Sequence, residues 1–363
     1  MGMFKKVIRY IFLYGLRRTL VKVLYQIDRP ISIRLLKLIM SRNKGSSDRI
    51  GIIGLGNHGF TLIAFFVCVY GKKRFSFVID PSDKSKLLAE NVLSCKHFRS
   101  IDEAIEAGEF RGDLIYIASD HYSHTSQAIM AADKFQKVYI EKPLFVNFDQ
   151  QKQFLDLLNS KPDTKMYTGF NRPFAPYFEK LQTELESSYS VTVVVNGHYL
   201  PSDHWYRNEG QGTRVLGNLT HWLDLSLRLL SAANIPKSIE VKVTKGALDD
   251  LSVTLLSGDR KIDLLFSANC EPLDGVEEFI FWNSNLSVGK IMNFKSMDLI
   301  RNDRSRYVVR KRSKNVGHCA AVLAPLKNVE PTIKVAYLSS FLAIMIEDMY
   351  VNSVATSVVE LDI

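Results

Sequence analysis

Short apolar runs alternate with stretches of helical period between residues 49 and 168. The short runs predict five strands: Arg49–Ile53, Phe75–Ile79, Asp113–Ala118, Lys137–Ile140 and Lys165–Thr168. The stretches between them predict four helices: Phe60–Tyr70, Lys84–Val92, His124–Ala132 and Phe148–Leu158. Because strands and helices follow one another at this spacing, we expect βαβ units and a parallel sheet over residues 48–168.

The rhythm changes after residue 169, where strands follow one another without helices between them. The helices expected here are Phe174–Leu185, Gly217–Leu230 and Ile333–Asn352. The expected strands are Ser190–Tyr199, Ser238–Lys245, Leu251–Leu256, Lys261–Asn269, Glu277–Asn283 and Ser305–Arg310. This pattern predicts a second domain over residues 169–363, of the α+β class, with a largely antiparallel open sheet.

Residues 1–47 form an arm that precedes both domains. Its apolar residues recur at helical spacing over Met1–Arg42, Pro30 is expected to break the helix, and Asn43–Ser47 has the composition of a linker. A basic amphipathic arm of this kind can lie on an anionic membrane surface. The alternative is that its apolar faces pack on the body of the protein or on a second subunit.

The excess of basic residues in this chain lies at its N-terminal end. Residues 1–48 hold eleven Lys/Arg and two acids, which accounts for the whole net charge of +9 and leaves the rest of the chain neutral by count. Nucleic-acid binding by the two domains therefore loses its main support. Hydrophobic residues at 46% and charged residues at 23% are ordinary for a globular protein and argue against disorder.

Cysteine spacing and the arm's polarity bear on the compartment. Four cysteines, Cys68, Cys95, Cys270 and Cys319, lie far apart and form no CxxC pair, so neither a disulfide framework nor a metal site is expected, and a reducing cytoplasm fits best. The longest uncharged run in the arm, Tyr10–Leu16, falls well short of the roughly 20 residues that a membrane span needs.

A glycine-rich turn follows the first predicted strand. Gly54, Gly56 and Gly59 form a GxGxxG pattern that opens a helix, the arrangement that holds a dinucleotide pyrophosphate at a helix N-terminus in a Rossmann domain. Asp80 ends the next strand, where its carboxylate can bind the ribose hydroxyls. Because a 2′-phosphate would meet that negative charge, NAD is favoured over NADP.

A second group of reactive residues, Glu141-Lys142-Pro143, directly follows a predicted strand. It therefore lies at the carboxyl edge of the sheet, where ligands bind in open α/β folds. The ammonium of Lys142 can contact a hydroxyl that becomes a carbonyl and can carry its proton. A surface ion pair between Glu141 and Lys142 is the alternative interpretation.

Together the glycine-rich turn, the segment 118–124 (Ala-Ser-Asp-His-Tyr-Ser-His) and Glu141-Lys142-Pro143 resemble the Gfo/Idh/MocA oxidoreductase family, which includes glucose–fructose oxidoreductase and inositol dehydrogenase. The resemblance is good over residues 49–230. It implies a Rossmann domain followed by a substrate domain, with Lys142 and His221 as the catalytic groups. It also implies that other residues bind the cofactor, namely Asn57, His58, Ser119, His121, His124 and Glu141.

One position departs from that family. Many members have an aspartate four residues before the catalytic histidine, and here this residue is Gly217. Lys142 and His221 must then share the proton, or Asp224, one helical turn further on, must orient the imidazole. Asn218 and Asp224 are expected near the substrate.

Two further segments resemble the branch of the family found in surface-polysaccharide biosynthesis: residues 169–176, with Arg172, and residues 203–205 upstream of 210–214. Arg172 could bind a phosphate or a sugar oxygen, and Trp205 could stack on a sugar or a base. A loop and a domain hinge are the alternative interpretation of both segments.

The expected function is NAD-dependent hydride transfer to or from a secondary hydroxyl of a sugar, a nucleotide sugar in polysaccharide biosynthesis, by a homo-oligomer in the cytoplasm. Two alternatives remain open. The protein could use NAD transiently as an epimerase or lyase without net redox change, or it could be a redox-inactive scaffold tethered to the inner face of the membrane.

Overall fold

A computed structural model describes residues 3–27, 29–40, 48–204, 208, 210–272, 275–311 and 313–361. Two compact units make up the chain: unit 1 consists of Met1–Gly169 with His318–Ile333, and unit 2 of Phe170–Gly317 with Lys334–Ile363. The boundary expected after residue 168 thus lies beside Gly169. The segment His318–Ile333 returns to unit 1, where the Tyr116 hydroxyl donates a hydrogen bond to the Val322 carbonyl (2.8 Å).

The strands in the described ranges are β1 (Ile50–Ile53), β2 (Phe77–Ile79), β3 (Lys96–Phe98), β4 (Gly112–Ile117), β5 (Phe135–Ile140), β6 (Lys165–Thr168), β7 (Tyr189–Asn196), β8 (Ser238–Lys245), β9 (Leu251–Ser257), β10 (Arg260–Ser267), β11 (Glu277–Ser284), β12 (Ser287–Met292), β13 (Ser296–Arg301), β14 (Arg306–Arg310) and β15 (Thr356–Glu360).

The α-helices of the same ranges are α1 (Met3–Tyr14), α2 (Leu16–Gln26), α3 (Pro30–Met40), α4 (Asp83–Leu88), α5 (Ile101–Glu106), α6 (His124–Ala132), α7 (Phe148–Ser160), α8 (Phe178–Thr183), α9 (Thr220–Leu230), α10 (His318–Leu323) and α11 (Ile333–Asn352). Wider π-helical turns occupy Gly59–Ala64, Phe66–Tyr70, Ala89–Leu93 and Val215–Leu219. Among the described residues, no helix is both long and apolar enough to cross a membrane.

Unit 1 is built on a parallel sheet in the order β3-β2-β1-β4-β5-β6. The residues of β1 are all buried, as expected of a strand covered by helices on both faces. The chain leaves β1 toward β2 on one side and reaches β4 on the other. The carboxyl ends of β1 and β4 therefore border the crevice where such sheets bind ligands.

Unit 2 contains a nine-stranded mixed sheet in the order β14-β13-β12-β11-β7-β10-β9-β8-β15. Only the β7–β10 pair is parallel, and the other described pairs are antiparallel. Helix α9 lies among the most buried parts of the unit, with Trp222 and Leu223 in the core. The predicted fold class, a parallel Rossmann sheet followed by a largely antiparallel open sheet, is confirmed.

The arm consists of three helices, α1 to α3, and belongs to unit 1. Gly15, at φ +83°, separates α1 from α2, because this backbone conformation is left-handed and favours glycine; the sequence had indicated a break only at Pro30. Val21 and Leu36 are completely or almost completely buried, and Tyr25 stacks on Phe60 with ring centroids 5.6 Å apart. One face of the arm therefore packs on unit 1. The expected linker, Asn43–Ser47, lies outside the described residues.

Candidate functional site

The glycine-rich turn connects β1 to the helix that begins at Asn57. Gly54 has φ +84°, and a Cβ there would lie 2.4 Å from the Ala118 carbonyl oxygen. A Cβ on Gly59 would lie 2.1 Å from the Gly54 carbonyl oxygen, whereas one on Gly56 would meet nothing within 4 Å. Gly54 and Gly59 thus allow close backbone packing, and Gly56 faces open space. This is the arrangement that lets a pyrophosphate approach the backbone N–H groups.

Asp80 lies at the end of β2 beside this turn. One of its carboxylate oxygens accepts a hydrogen bond from the Leu55 N–H (2.8 Å), and the other accepts one from the Ser82 N–H (2.9 Å). A carboxylate can accept about four hydrogen bonds. Capacity therefore remains for the two ribose hydroxyls, and the residues present fit a dinucleotide at the end of β1.

Lys142 follows β5 directly and is half-buried, and its peptide bond to Pro143 is cis. The first turn of α6 holds this segment. Nδ1 of His124 donates to the Pro143 carbonyl (2.8 Å), and the Thr125 hydroxyl donates to the Leu144 carbonyl (2.9 Å). Burial lowers the pKa of His124, so the neutral imidazole serves as a fixed donor. The segment that carries Lys142 is thus held by buried hydrogen bonds from a neighbouring element.

Glu141 joins this segment to the glycine-rich turn. Its Oε1 lies 3.2 Å from Nε2 of His58 and accepts a hydrogen bond from the Tyr139 hydroxyl (3.0 Å). Burial alone would raise the pKa of the Glu141 carboxyl, but the charge and hydrogen bond of His58, with Lys142 and Tyr139, bring it down to about 2. The carboxylate is therefore ionised and connects the two parts of the site.

The other expected cofactor contacts differ in accessibility. Asn57 and His58 are exposed at the start of the helix, and Ser119 is half-buried, with its hydroxyl donating to the Gln127 side chain (2.7 Å). His121 and His124 are buried, at 4% and 1% exposure. The structure brings all of these residues to the carboxyl edge of the unit 1 sheet, and their contacts with the cofactor stay predictions.

His221 lies in the first turn of α9 in unit 2 and is half-buried between two aromatic rings, Phe170 and Trp222, whose centroids are 6.4 and 6.1 Å from its own. Asp224, fully buried, accepts hydrogen bonds from Arg228 (2.9 Å) and from Ser339 of α11 (3.1 Å). Asp224 therefore holds α9 to α11. The orienting and substrate-binding roles expected for it stay predictions.

Asn218 is half-buried one turn before His221. Its side-chain oxygen accepts a hydrogen bond from Arg214 (2.8 Å), whose guanidinium also stacks over Phe266 (5.1 Å) and lies 3.6 Å from the Asp249 carboxylate. Arg214 thus anchors the helix turn that carries Asn218. Trp205, the aromatic residue expected against the substrate, lies outside the described residues.

Arg172 lies in a buried ion network and not on an open surface. Its Nε and one terminal nitrogen donate to Oε1 of Glu278 (2.9 and 2.6 Å), Lys314 lies 3.0 Å from Oε2, and the Trp222 indole donates to Oε1 (3.0 Å). Burial opposes ionisation of Glu278, but Arg172 and Lys314 hold the pKa of its carboxyl below the ordinary value. The structure thus gives Arg172 a structural partner, and a substrate contact stays a prediction.

Residues 49–169 match a family model described as the GFO/IDH/MocA oxidoreductase family with an NAD-binding Rossmann fold. This stretch of unit 1 is similar to the NAD-binding Rossmann domain of the Gfo/Idh/MocA oxidoreductase family. The resemblance in the glycine-rich turn and the Glu141-Lys142-Pro143 segment is thereby confirmed for this domain. NAD is its cofactor, in agreement with the open cradle at Gly56.

Solved structures share a fold with most of the chain, and a curated relative matches part of it. Myo-inositol 2-dehydrogenase of Thermotoga maritima is 27% identical over 139 residues, 38% of this chain and 41% of that protein, so the match spans less than half of the relative's length. The structure of GenD2 from gentamicin A biosynthesis, in complex with NAD, has a TM-score of 0.67 at 17% identity and covers 89% of this chain and 99% of its own.

A putative myo-inositol dehydrogenase from Sinorhizobium meliloti has a TM-score of 0.65 at 18% identity and covers 87% of this chain and all of its own. At these identities the two structures show a shared fold and nothing about substrate.

Two residues that the sequence analysis missed, Tyr139 and Gly169, lie next to the Glu141 carboxylate. Tyr139 precedes Glu141 by two residues on β5, so strand periodicity alone would have placed the two on one face. A Cβ on Gly169 would lie 2.3 Å from the Glu141 carboxylate, so the glycine leaves the space that Glu141 occupies. Gly169 had no such local signal, because its contact with Glu141 joins β5 to the end of β6.

Proposed function

We propose that this protein is an NAD-dependent oxidoreductase that transfers a hydride to or from a secondary hydroxyl of a sugar, specifically of a nucleotide sugar used in polysaccharide biosynthesis. The observation that carries the proposal lies within unit 1. The segment with Lys142 is bound to the cofactor turn through the 3.2 Å contact between Glu141 and His58. A proton-carrying amine thus lies on a segment tied directly to the dinucleotide cradle.

The residues divide the work as follows in this proposal. Bound NAD supplies the hydride acceptor or donor. Lys142 takes or returns the proton of the reacting hydroxyl, and His221 shares that proton, since Gly217 replaces the aspartate present in many relatives. Asp80 binds the ribose, while Glu141 and His58 hold the turn and the Lys142 segment in register.

The test is a screen of nucleotide sugars, free sugars and myo-inositol for a change in absorbance at the nicotinamide band. A substrate with net NADH formation or consumption supports the proposal. Product formation without net absorbance change would favour the epimerase or lyase alternative. A protein that binds no NADH at all would favour the scaffold.

We also propose that the protein is a homo-oligomer that works in the cytoplasm, next to the membrane. The nine-stranded sheet leaves apolar side chains exposed on one face: Leu265, Phe281, Val288 and Ile300, between 41% and 52% exposed. An open apolar sheet face of this kind is suited to cover the same face of a second copy. Native mass spectrometry measures the number of subunits.

Removing the negative charge of Asp80 narrows the gap between the affinities for NADH and NADPH, because the 2′-phosphate of NADPH no longer meets a carboxylate. Asp80→Asn is the sharper variant, since the amide oxygen can still accept the Leu55 N–H that Asp80 now accepts at 2.8 Å. Fluorescence titration with both dinucleotides measures the effect.

The matched control is Asp83→Asn, three residues after Asp80, which removes an exposed carboxylate that pairs with Arg99. The control keeps the wild-type preference. Tighter binding of NADPH than of NADH by the unaltered protein contradicts the assignment.

A further inference from the structure

Each of the three arm helices keeps large apolar side chains exposed to solvent. They stand one turn apart on each helix, Ile8 and Phe12 on α1, Leu16 and Leu20 on α2, and Ile31, Leu35 and Leu38 on α3. Phe12, Ile31 and Leu38 are 74%, 65% and 70% exposed. Residues three and four apart share a helix face, so each helix presents an apolar strip. Isolated exposed apolar residues are ordinary, whereas strips on three successive helices mark an interaction surface.

The opposite faces of α2 and α3 are packed, so these strips do not result from a detached arm. Val21 of α2 and Leu36 and Met40 of α3 are buried against unit 1. Lys84 donates to the Tyr25 carbonyl (2.7 Å) and lies 4.0 Å from the centre of its ring. The exposed strips therefore form the outer face of a layer that is already held in place.

The charges of the arm indicate what this outer face binds. Residues 3–40 contain nine Lys/Arg and one acid, Asp28. Two of the cations lie on the inner side: Arg18 stacks over Phe66 (5.2 Å), and burial beside it, with the charge of Arg18, lowers the pKa of Lys22 to about 8. Arg17, Arg34 and Lys37 are exposed.

On α3 these outward charges adjoin the apolar strip. Arg34 and Lys37, three residues apart, occupy one exposed side of the helix, and Ile31, Leu35 and Leu38 occupy the neighbouring side. A helix with an apolar face beside a basic face lies in the plane of a bilayer surface, with its apolar side chains among the lipids and its cations at the headgroups.

We propose that the outer face of the arm binds the surface of an anionic membrane and thereby fixes unit 1 against it. This rests on the proposed placement of the protein next to the membrane and not on the proposed chemistry. A second copy of the arm would bring its own outward cations, Arg17, Arg34 and Lys37, to the same face, and like charges would oppose that contact. An anionic bilayer suits both the apolar strips and the cations of the outer face, because it is apolar inside and negative at its surface.

A cavity at the inner edge of this face adds to the positive charge. It has a volume of about 250 Å³ and lies between α3 and the rest of unit 1, with Lys37 and Arg74 as its cations and Met40, Cys68, Val92 and Leu93 among its apolar lining. A cavity lined by cations and apolar side chains matches an anionic lipid headgroup and the start of its chain.

The experiment is co-sedimentation of the full-length protein with vesicles of phosphatidylcholine alone and of phosphatidylcholine mixed with phosphatidylglycerol, at low and high salt. We expect binding to the mixed vesicles, weakening with salt because headgroup attraction is screened. Two double variants, Phe12→Ser with Leu38→Ser and Arg34→Gln with Lys37→Gln, each lower the partition constant about tenfold or more.

Matched controls carry the same chemical changes away from the arm. Leu248→Ser with Ile105→Ser removes two apolar side chains that are 77% and 46% exposed, and Arg111→Gln with Arg304→Gln removes two exposed charges. These variants bind vesicles like the unaltered protein. NADH titration verifies in parallel that every variant is folded, and it reports separately on the proposed chemistry.

Three results overturn the proposal. The first is equal binding to neutral and anionic vesicles, and the second is vesicle binding that the arm variants leave unchanged. The third is an apolar arm variant that alters the subunit number in size-exclusion chromatography and leaves vesicle binding intact, which would assign the face to a second copy.

Discussion

Lys142→Met lowers the rate of hydride transfer by about 100-fold or more, the scale of a single acid–base group, and leaves NADH binding close to that of the unaltered protein. The reason is positional. Lys142 follows β5 directly, and its segment is held by contacts of Glu141, Pro143 and Leu144 that the substitution leaves in place. Methionine removes the proton carrier and keeps the length of the side chain. Single-turnover kinetics and NADH titration separate the two effects.

The control for this variant is Lys152→Met, an exposed lysine of α7, which leaves both measurements unchanged. His221→Asn provides the parallel comparison in unit 2. Because groups that share one proton act as a unit, the double variant loses less than the two single losses multiplied together. Near-normal turnover of Lys142→Met on a substrate found in the screen would remove this residue from the chemistry.

Glu278→Gln destabilises unit 2 by about 3–5 kcal/mol, the usual effect of breaking a buried ion pair by removing one partner. Glu278 is 1% exposed and faces two cations, Arg172 and Lys314, that are themselves buried. The amide keeps the shape of the side chain and leaves both cations without a counter-charge. The two described tryptophans, Trp222 and Trp282, lie in unit 2, and the third, Trp205, falls within the same stretch of sequence, so thermal unfolding followed by tryptophan fluorescence reports on this unit.

Asp298→Asn is the matched control, since Asp298 pairs with Arg306 on an exposed part of the same sheet. Exposed pairs contribute little, so the unfolding midpoint stays near that of the unaltered protein. An equal shift in the two variants would show that the buried network stabilises no more than a surface pair does.

Elements with strong local patterns could be predicted from the sequence. The strand expected at Lys165–Thr168 has those bounds in β6, and the other four predicted strands of unit 1 differ from the structure by one or two residues at an end. β3 was missed because its three residues, Lys96–Phe98, are partly exposed and show no apolar run. β12 and β13 were missed for a related reason, since exposed and glycine positions interrupt their alternation.

The site likewise divides into residues that a local pattern identifies and residues whose partners are distant in the sequence. The glycine-rich turn and Asp80 were identified locally, because their chemistry lies within one βαβ unit. The partners of Arg172 were beyond that reach, since Glu278 is 106 residues away and Lys314 lies further still. A motif of residues 169–176 shows an arginine that could bind an anion. Only the packing of unit 2 shows that the guanidinium of Arg172 already binds a buried carboxylate, that of Glu278.

The arm shows most directly what cannot be predicted from the sequence alone. Its composition and period predicted basic amphipathic helices, because helical spacing and charge are properties of neighbouring residues. Which apolar residues face the protein is a different question. Val21 and Leu36 are buried while Phe12 and Leu38 are exposed, although all four suit either side of an amphipathic helix. That choice depends on the shape of the surface that unit 1 offers, which forms only when distant segments of the chain pack together.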